Sequence, residues 1–404
     1  MKILMLSVTF PYPPSKGGTQ VRTFNFVKYL SQRHEVTLVT LPSKDVTPQE
    51  IDALRKIVNT LVVFSQPVEV STNILSKIGR LGAFAWEGTP PNVRYLYVWE
   101  MQDWLDRAIA SGHYNAITCE HSANEIYIRP HWKQQVTTVI NIHSSAYQTC
   151  KNQLANRLSE TPWRDRLYLP LLKRYEQRVY SKFSALVVTT AEDRQHIHKL
   201  SASNSLAVIP NGVDLTVFPF RRADPGGYHL IITGGMDYVV NIDAACFFAL
   251  AVLPQLQAQY PNATLSIVGG NPSAAVQDLA QKPGITVTGR VPSMVTYLHQ
   301  ATVCVVPMRS GFGIKNKTLE AMAAGVPLVA SDRGLEGVEV DTSKVPLRAL
   351  RANTVPEYVD KISELFESPE LRQKLSKNGR RLIEENYTWE SLGQRYEAAI
   401  KQGS

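Results

Sequence analysis

The chain has 404 residues, of which 44% are hydrophobic and 19% charged. That balance excludes a disordered or fibrous protein and predicts two to three domains at roughly 150 residues each. The 43 Lys and Arg against 35 Asp and Glu leave a net charge of +8, which suits an anionic ligand or surface but falls short of a nucleic-acid-binding tail.

The start, MKILMLSV, meets Pro11 at once. It reads as a buried first strand rather than a signal segment. Strands are expected at 2–8, 35–40, 61–64, 116–119, 136–142, 185–189 and 206–209, with helical patterns between most of them, such as 19–31 and 48–59. Thr47 is the expected N-cap of the second helix, with Pro48 at its first position. The alternation restarts with strands at 229–233, 264–268, 285–287, 303–307 and 327–330. Continuous apolar strands alternating with helices predict parallel sheets covered on both faces. The Pro/Gly-rich stretch 218–227 reads as a linker. Two doubly wound domains follow, 1–215 and 220–385, with a final helix in 386–404. The longest apolar run, 244–253, is shorter than the roughly 20 residues of a membrane span. Cys119, Cys150, Cys246 and Cys304 form no CxxC pair, which predicts reduced thiols and a cytoplasmic location.

Ligands of such sheets bind beyond the carboxyl ends of the strands. The segment 303–331, VCVVPMRSGFGIKNKTLEAMAAGVPLVAS, reads strand, glycine loop, helix, strand. Gly311, Phe312, Gly313 and Ile314 form the loop, with Asn316 as expected N-cap and Gly325 just past the helix end. Helix amides there suit a diphosphate, and Lys315 and Lys317 add two cations. Glu320, three residues after Lys317, suits a ribose diol. The loop fails the dinucleotide fingerprint at its third glycine, which argues against a nicotinamide oxidoreductase. The first strand leads into Phe10–Thr19, where Gly17 and Gly18 precede a helix capped by Thr19. His143 ends one strand, with Ser144 and Ser145 behind it, and Glu120 and His121 end its neighbour. Gly235, Asp237, Tyr238 and Asn241 follow the first strand of the second half, and Arg290 follows ITVTG. No pattern fits a metal site. The stretch 151–182 carries eight basic residues against Glu160, Asp165 and Glu176. With the aromatic segment 84–104 it suits a membrane surface, an acidic acceptor or a solvated helix face.

These residues resemble a family. The FPYPPSKGG loop, strand-tip His143, SALVVTTAEDR, VIPNGVD, GGMDYVVNIDA, LSIVGGNP, ITVTGRVP and GFGIKNKTLEAMAAGVPLVAS are similar to retaining glycosyltransferases of the large family-4 group. The resemblance implies the α/β GT-B fold: two Rossmann-like parallel-sheet domains facing a central cleft, with a C-terminal helix crossing back. It implies a nucleotide-sugar donor held by the second domain, with Glu320 on the ribose. The first glutamate of the family's Glu-x7-Glu motif falls at Phe312, or at Ser310 with a shifted alignment; neither is acidic. Lys315 and Lys317 stand in for cations that many members carry after the first strand of that domain.

The implied reaction is metal-independent transfer with retention, from a donor most simply linked to UDP. The acceptor is a hydroxyl of a glycan, lipid-linked or small-molecule compound. Lys315 and Lys317 stabilise the leaving phosphate, Gly17 and Gly18 approach the donor, Arg290 lines the base pocket and His143 contacts the sugar. No cofactor and no nucleic acid is expected, and peripheral contact with the inner membrane face falls on 151–182. A nucleotide-sugar 2-epimerase and a non-catalytic sugar-binding scaffold of the same fold remain open alternatives.

Overall fold

The computed structural model describes residues 1–14, 17–66, 84, 88–155, 159, 161–200, 205–311 and 313–403. The chain divides into two compact units: Met1–Pro210 with Trp389–Ser404, and Asn211–Thr388.

The first unit holds seven parallel strands: β1 (Lys2–Ser7), β2 (Glu35–Thr40), β3 (Thr60–Val63), β4 (Ala116–Glu120), β5 (Thr137–Asn141), β6 (Ala185–Val188) and β7 (Ser205–Val208). Their order is β3-β2-β1-β4-β5-β6-β7. The reversal at β1 and β4 is the switch point of a doubly wound sheet. β1 pairs with β4 as Ile3 to Ala116 through Leu6 to Cys119. The central strands are buried nearly end to end because helices cover both faces. One face packs Ile3, Met5 and Val139 against Phe26, Leu30, Leu392 and Tyr396. Helix Gly18–Ser31 meets the returning helix Trp389–Gln402 there. The Phe26 and Tyr396 rings lie 4.4 Å apart, and a Cβ on Gly393 would come within 2.3 Å of the Tyr29 ring. The terminal helix therefore belongs to the first unit's core.

The second unit holds β8 (His229–Thr233), β9 (Thr264–Val268), β10 (Ile285–Gly289), β11 (Val303–Val306), β12 (Leu328–Ala330) and β13 (Leu350–Arg351), in the order β10-β9-β8-β11-β12-β13. The twelve strands expected from sequence are present within two residues at either end. β13 is not in that reading: an edge strand of two residues is too short to show a pattern.

Four boundaries differ from expectation. The division falls at Pro210, before 215, because Asn211 and Val213 bond within the second unit: Val213 N donates to the Tyr387 carbonyl at 2.8 Å. The same contact carries that unit to Thr388, beyond 385. Gly17, not Thr19, is the N-cap of Gly18–Ser31, and Lys315, not Asn316, is the N-cap of Asn316–Ala323, both without a side-chain cap. Thr47 does cap Pro48–Arg55, in a full capping box with Glu50.

One helical stretch, Val239–Gln259, is long and apolar enough to cross a membrane by length and composition, contrary to the expectation from run length. Ala245, Phe248, Val252 and Leu256 along it lie in the core against β8 and β9, so the fold already accounts for its apolar face.

Candidate functional site

The second unit gathers most of the expected residues at the carboxyl ends of adjacent strands. The loops after β8, β9 and β10 are tied by backbone bonds: Gly234 N to the Val268 carbonyl at 3.1 Å, Met236 N to Gly270 at 2.9 Å and Gly269 N to Gly289 at 3.2 Å. The approach is so close that a Cβ on Gly269, at φ 158°, would stand 1.7 Å from the Gly234 carbonyl oxygen. Only glycine permits it. Gly235 is exposed beside Asp237, whose Oδ2 accepts from Asn271 Nδ2 at 3.1 Å. Arg290 is exposed and lies alongside Gly270, its Nη2 3.5 Å from where a Cβ there would be.

Above this glycine floor stands the start of helix Asn316–Ala323. Its first amides have no intrahelical acceptor, the usual state of a helix N-terminus. Gly311 and Gly313 precede it at φ 112° and 69°, while Phe312 lies outside the described residues. Ile314 is buried in the core below. Lys317 Nζ donates to Asn241 Oδ1 at 2.8 Å, and a Cβ on Gly234 would come within 2.7 Å of it. Thus Lys317, Asn241 and the β8 loop form one contact. Desolvation pushes the Lys317 ammonium down to about 8, against the pull of Cys304 and Glu320. One turn along, desolvation pushes the Glu320 carboxyl up to about 7, with Lys317 opposing. Both groups thus titrate closer to neutral pH than an ordinary lysine or glutamate, the pattern that burial produces.

Lys315 is placed differently. Its ammonium turns back into the loop, donating to the Gly313 carbonyl and pairing with the buried Glu336 carboxylate at 3.3 Å. Arg333 approaches the same carboxylate at 3.6 Å. Lys315 thereby holds the shape of the glycine loop. Two partners absent from the sequence reading complete the site. Glu336 follows β12 and was within reach of the strand-tip rule. Asn211 donates through Nδ2 to Asn316 Oδ1 at 2.8 Å; it lies in VIPNGVD, and only folding brings that segment to the helix start. Ser310, one of the two places for the motif's first glutamate, is buried, and its hydroxyl has no partner among the described residues.

The first unit places His143 beyond β5 and His121 beyond β4, with rings 5.2 Å apart and edge to face. His143 Nδ1 stands 3.4 Å from Thr19 Oγ1 in the first turn of Gly18–Ser31, and its buried Nε2 has no partner among the described residues. Desolvation, with His121 and Arg22 adding to it, holds His143 well below the usual histidine value, so it is a neutral imidazole. Gly17 and Gly18 open that helix. Glu120 does not reach out as the sequence suggests. It points inward, accepting from Tyr396 Oη and from Asn141 Nδ2 at 3.0 Å. Arg22 donates to Asn141 Oδ1 at 3.0 Å and to the carbonyls of Ile209 and Pro210, both at 2.8 Å.

The chain is similar to known proteins over both units. A model described as Glycosyltransferase Family 4 matches residues 16–217, and one described as Glycosyl transferases group 1 matches residues 227–368. The structure of sucrose-phosphate synthase from Thermosynechococcus elongatus aligns at TM-score 0.70 and 17% identity, covering 99% of this chain and 98% of its own. The Anabaena HepE protein in complex with UDP and glucose aligns at TM-score 0.67 and 13% identity over 100% of both chains. These likenesses establish the GT-B fold. Glycogen synthase from Mycobacterium tuberculosis is 27% identical over 197 residues, 46% of this chain and 46% of that protein; the match spans about half the length of such curated relatives. With half of its residues under one family model and much of the rest under the other, the chain belongs to the group 1, family 4 glycosyltransferases.

Proposed function

We propose that the protein transfers a sugar from a nucleoside diphosphate sugar to a hydroxyl of a glycan, lipid-linked or small-molecule acceptor, with retention of configuration and without a metal ion. The observation that carries this reading is the contact of Lys317, Asn241 and Gly234 over a floor of glycine backbone, with Glu320 one turn further along the helix. A diphosphate fits such a place, because bare amides and a desolvated amine meet its charge. Lys317 and the first amides of Asn316–Ala323 stabilise charge on the leaving phosphate. Lys315 keeps Gly311 and Gly313 in shape for that contact. Glu320 accepts from the ribose diol, and Arg290 with the Gly270 backbone borders the base.

UDP is the favoured nucleotide of the donor, supported by a similar structure that holds UDP and glucose. In the first unit, neutral His143 is suited to hydrogen-bond a sugar hydroxyl, and Gly17 and Gly18 offer amides beside it. The four free cysteines, Cys119, Cys150, Cys246 and Cys304, fit a cytoplasmic setting. A 2-epimerase is the competing reading, and it consumes donor with no acceptor.

A thermal-shift series with UDP-, GDP- and ADP-sugars, followed by product analysis with and without chelator, tests the proposal. Stabilisation by one nucleotide sugar and an anomer-retaining product unaffected by chelator are expected. Epimerised free donor, or no stabilisation by any nucleotide sugar, rejects it.

A further inference from the structure

Helix Pro162–Ser181 carries Asp165 and Glu176, and both are buried. Glu176 accepts from Ser145 and from the Tyr147 amide, and Asp165 is held by Ser159 and Arg164. The outward stripe is therefore free of acid. Trp163, Leu167, Pro170 and Arg174 follow one another at three- and four-residue steps along it, flanked by Arg166 and Lys173. Trp163 is 64% exposed and Leu167 53% exposed, one helical turn apart on that stripe. Arg166, Lys173 and Arg174 have no ion-pair partner among the described residues.

The positive surface continues beyond this helix. His196 stacks on Tyr147 at 5.6 Å, and after desolvation the like charges of Lys151, Lys199 and Lys173, from three separate helices, depress its ionisation. Helix Ala146–Ala155 carries no acid. On Ala191–Leu200, Asp193 is buried and bonded to Thr189, which leaves exposed Glu192 beside exposed Arg194. Here both acids of helix Pro162–Ser181 are turned in, while bases and an exposed indole are turned out.

We propose that this face docks the protein on an anionic phospholipid bilayer. Trp163 and Leu167 enter the headgroup boundary, and Arg166, Lys173 and Arg174 with Lys151 and Lys199 meet the lipid phosphates. The exposed apolar pair is what favours a bilayer over a dissolved polyanion, which needs the charge alone. The docking is independent of the donor site and stands or falls without it.

The test is co-sedimentation of the full chain with phosphatidylcholine vesicles and with vesicles of phosphatidylcholine mixed with phosphatidylglycerol. Binding to the mixed vesicles only, and its loss in about 1 M NaCl, where the screening length is about 3 Å, are expected. The triple variant Arg166→Gln/Lys173→Gln/Arg174→Gln should partition on the order of a hundred-fold more weakly. Trp163→Ser/Leu167→Ser should also weaken binding, and circular dichroism should show both variants folded, since the altered side chains are on the surface. Equal binding to both vesicle types, or triple-variant binding equal to that of the unaltered chain, overturns the proposal. So does full vesicle binding by Trp163→Ser/Leu167→Ser, which would assign the face to a dissolved polyanion.

Discussion

The two units use the carboxyl ends of similar sheets in opposite ways. In the first, polar groups are folded inward: Arg22, Asn141, Glu120 and Tyr396 satisfy one another beneath the strand tips and bind the returning helix to β4 and β5. In the second, the tips are glycine backbone, and the groups above them are desolvated, with Lys317 lowered to about 8 and Glu320 raised to about 7. A closed network builds stability. A desolvated amine over bare backbone builds a place whose electrostatics are completed by a ligand. The same sheet architecture thus separates holding the chain together from the charged-ligand site proposed above.

That contrast is breakable at specific residues. The largest expected effect is on turnover. Lys317→Ala removes the cation proposed to meet the leaving phosphate and should lower turnover by about 100- to 1,000-fold while leaving the melting temperature almost unchanged, as read by initial rates and calorimetry. Unaltered rates would remove Lys317 from the chemistry. Glu320→Ala should weaken donor binding by roughly 10- to 100-fold through loss of a charge-assisted ribose contact, measurable by isothermal titration.

In the closed network of the first unit the effect should fall on stability instead. Tyr396→Phe leaves the buried Glu120 carboxylate short of a donor and should cost about 1.5–3 kcal/mol in denaturant unfolding, with the affinity of the second unit for nucleotide unaltered. A loss of nucleotide binding without a loss of stability would contradict the division. His143→Ala should lower turnover more than it weakens nucleotide binding; an equal rate would take the imidazole out of the reaction.

The smallest effect is a pH dependence. Lys317 loses its proton near 8 rather than at the usual lysine value, so the cation is present below that pH and gone above it. Nucleoside diphosphate affinity should therefore fall as pH rises through about 8, by up to tenfold per unit. The bound anion raises the proton affinity of Lys317, so complex formation above pH 8 should take up a proton from buffer. Lys317→Ala should flatten this slope.

Much of this architecture is legible in the residues. The strand pattern gives both sheets, because buried parallel strands are continuous apolar runs. The glycine loop, Lys317 and Glu320 are legible because a short helix fixes their spacing. Less legible are contacts made across the chain. Nothing local to Lys315 says that Glu336 will draw it into the loop, and nothing near VIPNGVD says that Asn211 will reach Asn316. Glu120 shows the limit of the strand-tip rule: its position is correct, but Tyr396, far along the chain, decides that it faces inward.

The central claim is that the tips of the second unit bind a nucleoside diphosphate through Lys317. Isothermal titration of UDP, GDP and ADP into the unaltered chain and into Lys317→Ala tests it most directly. The account predicts saturable binding of one of them, UDP first, and binding at least tenfold weaker in the variant. Failure of all three to bind, or equal affinity in the two chains, would contradict it.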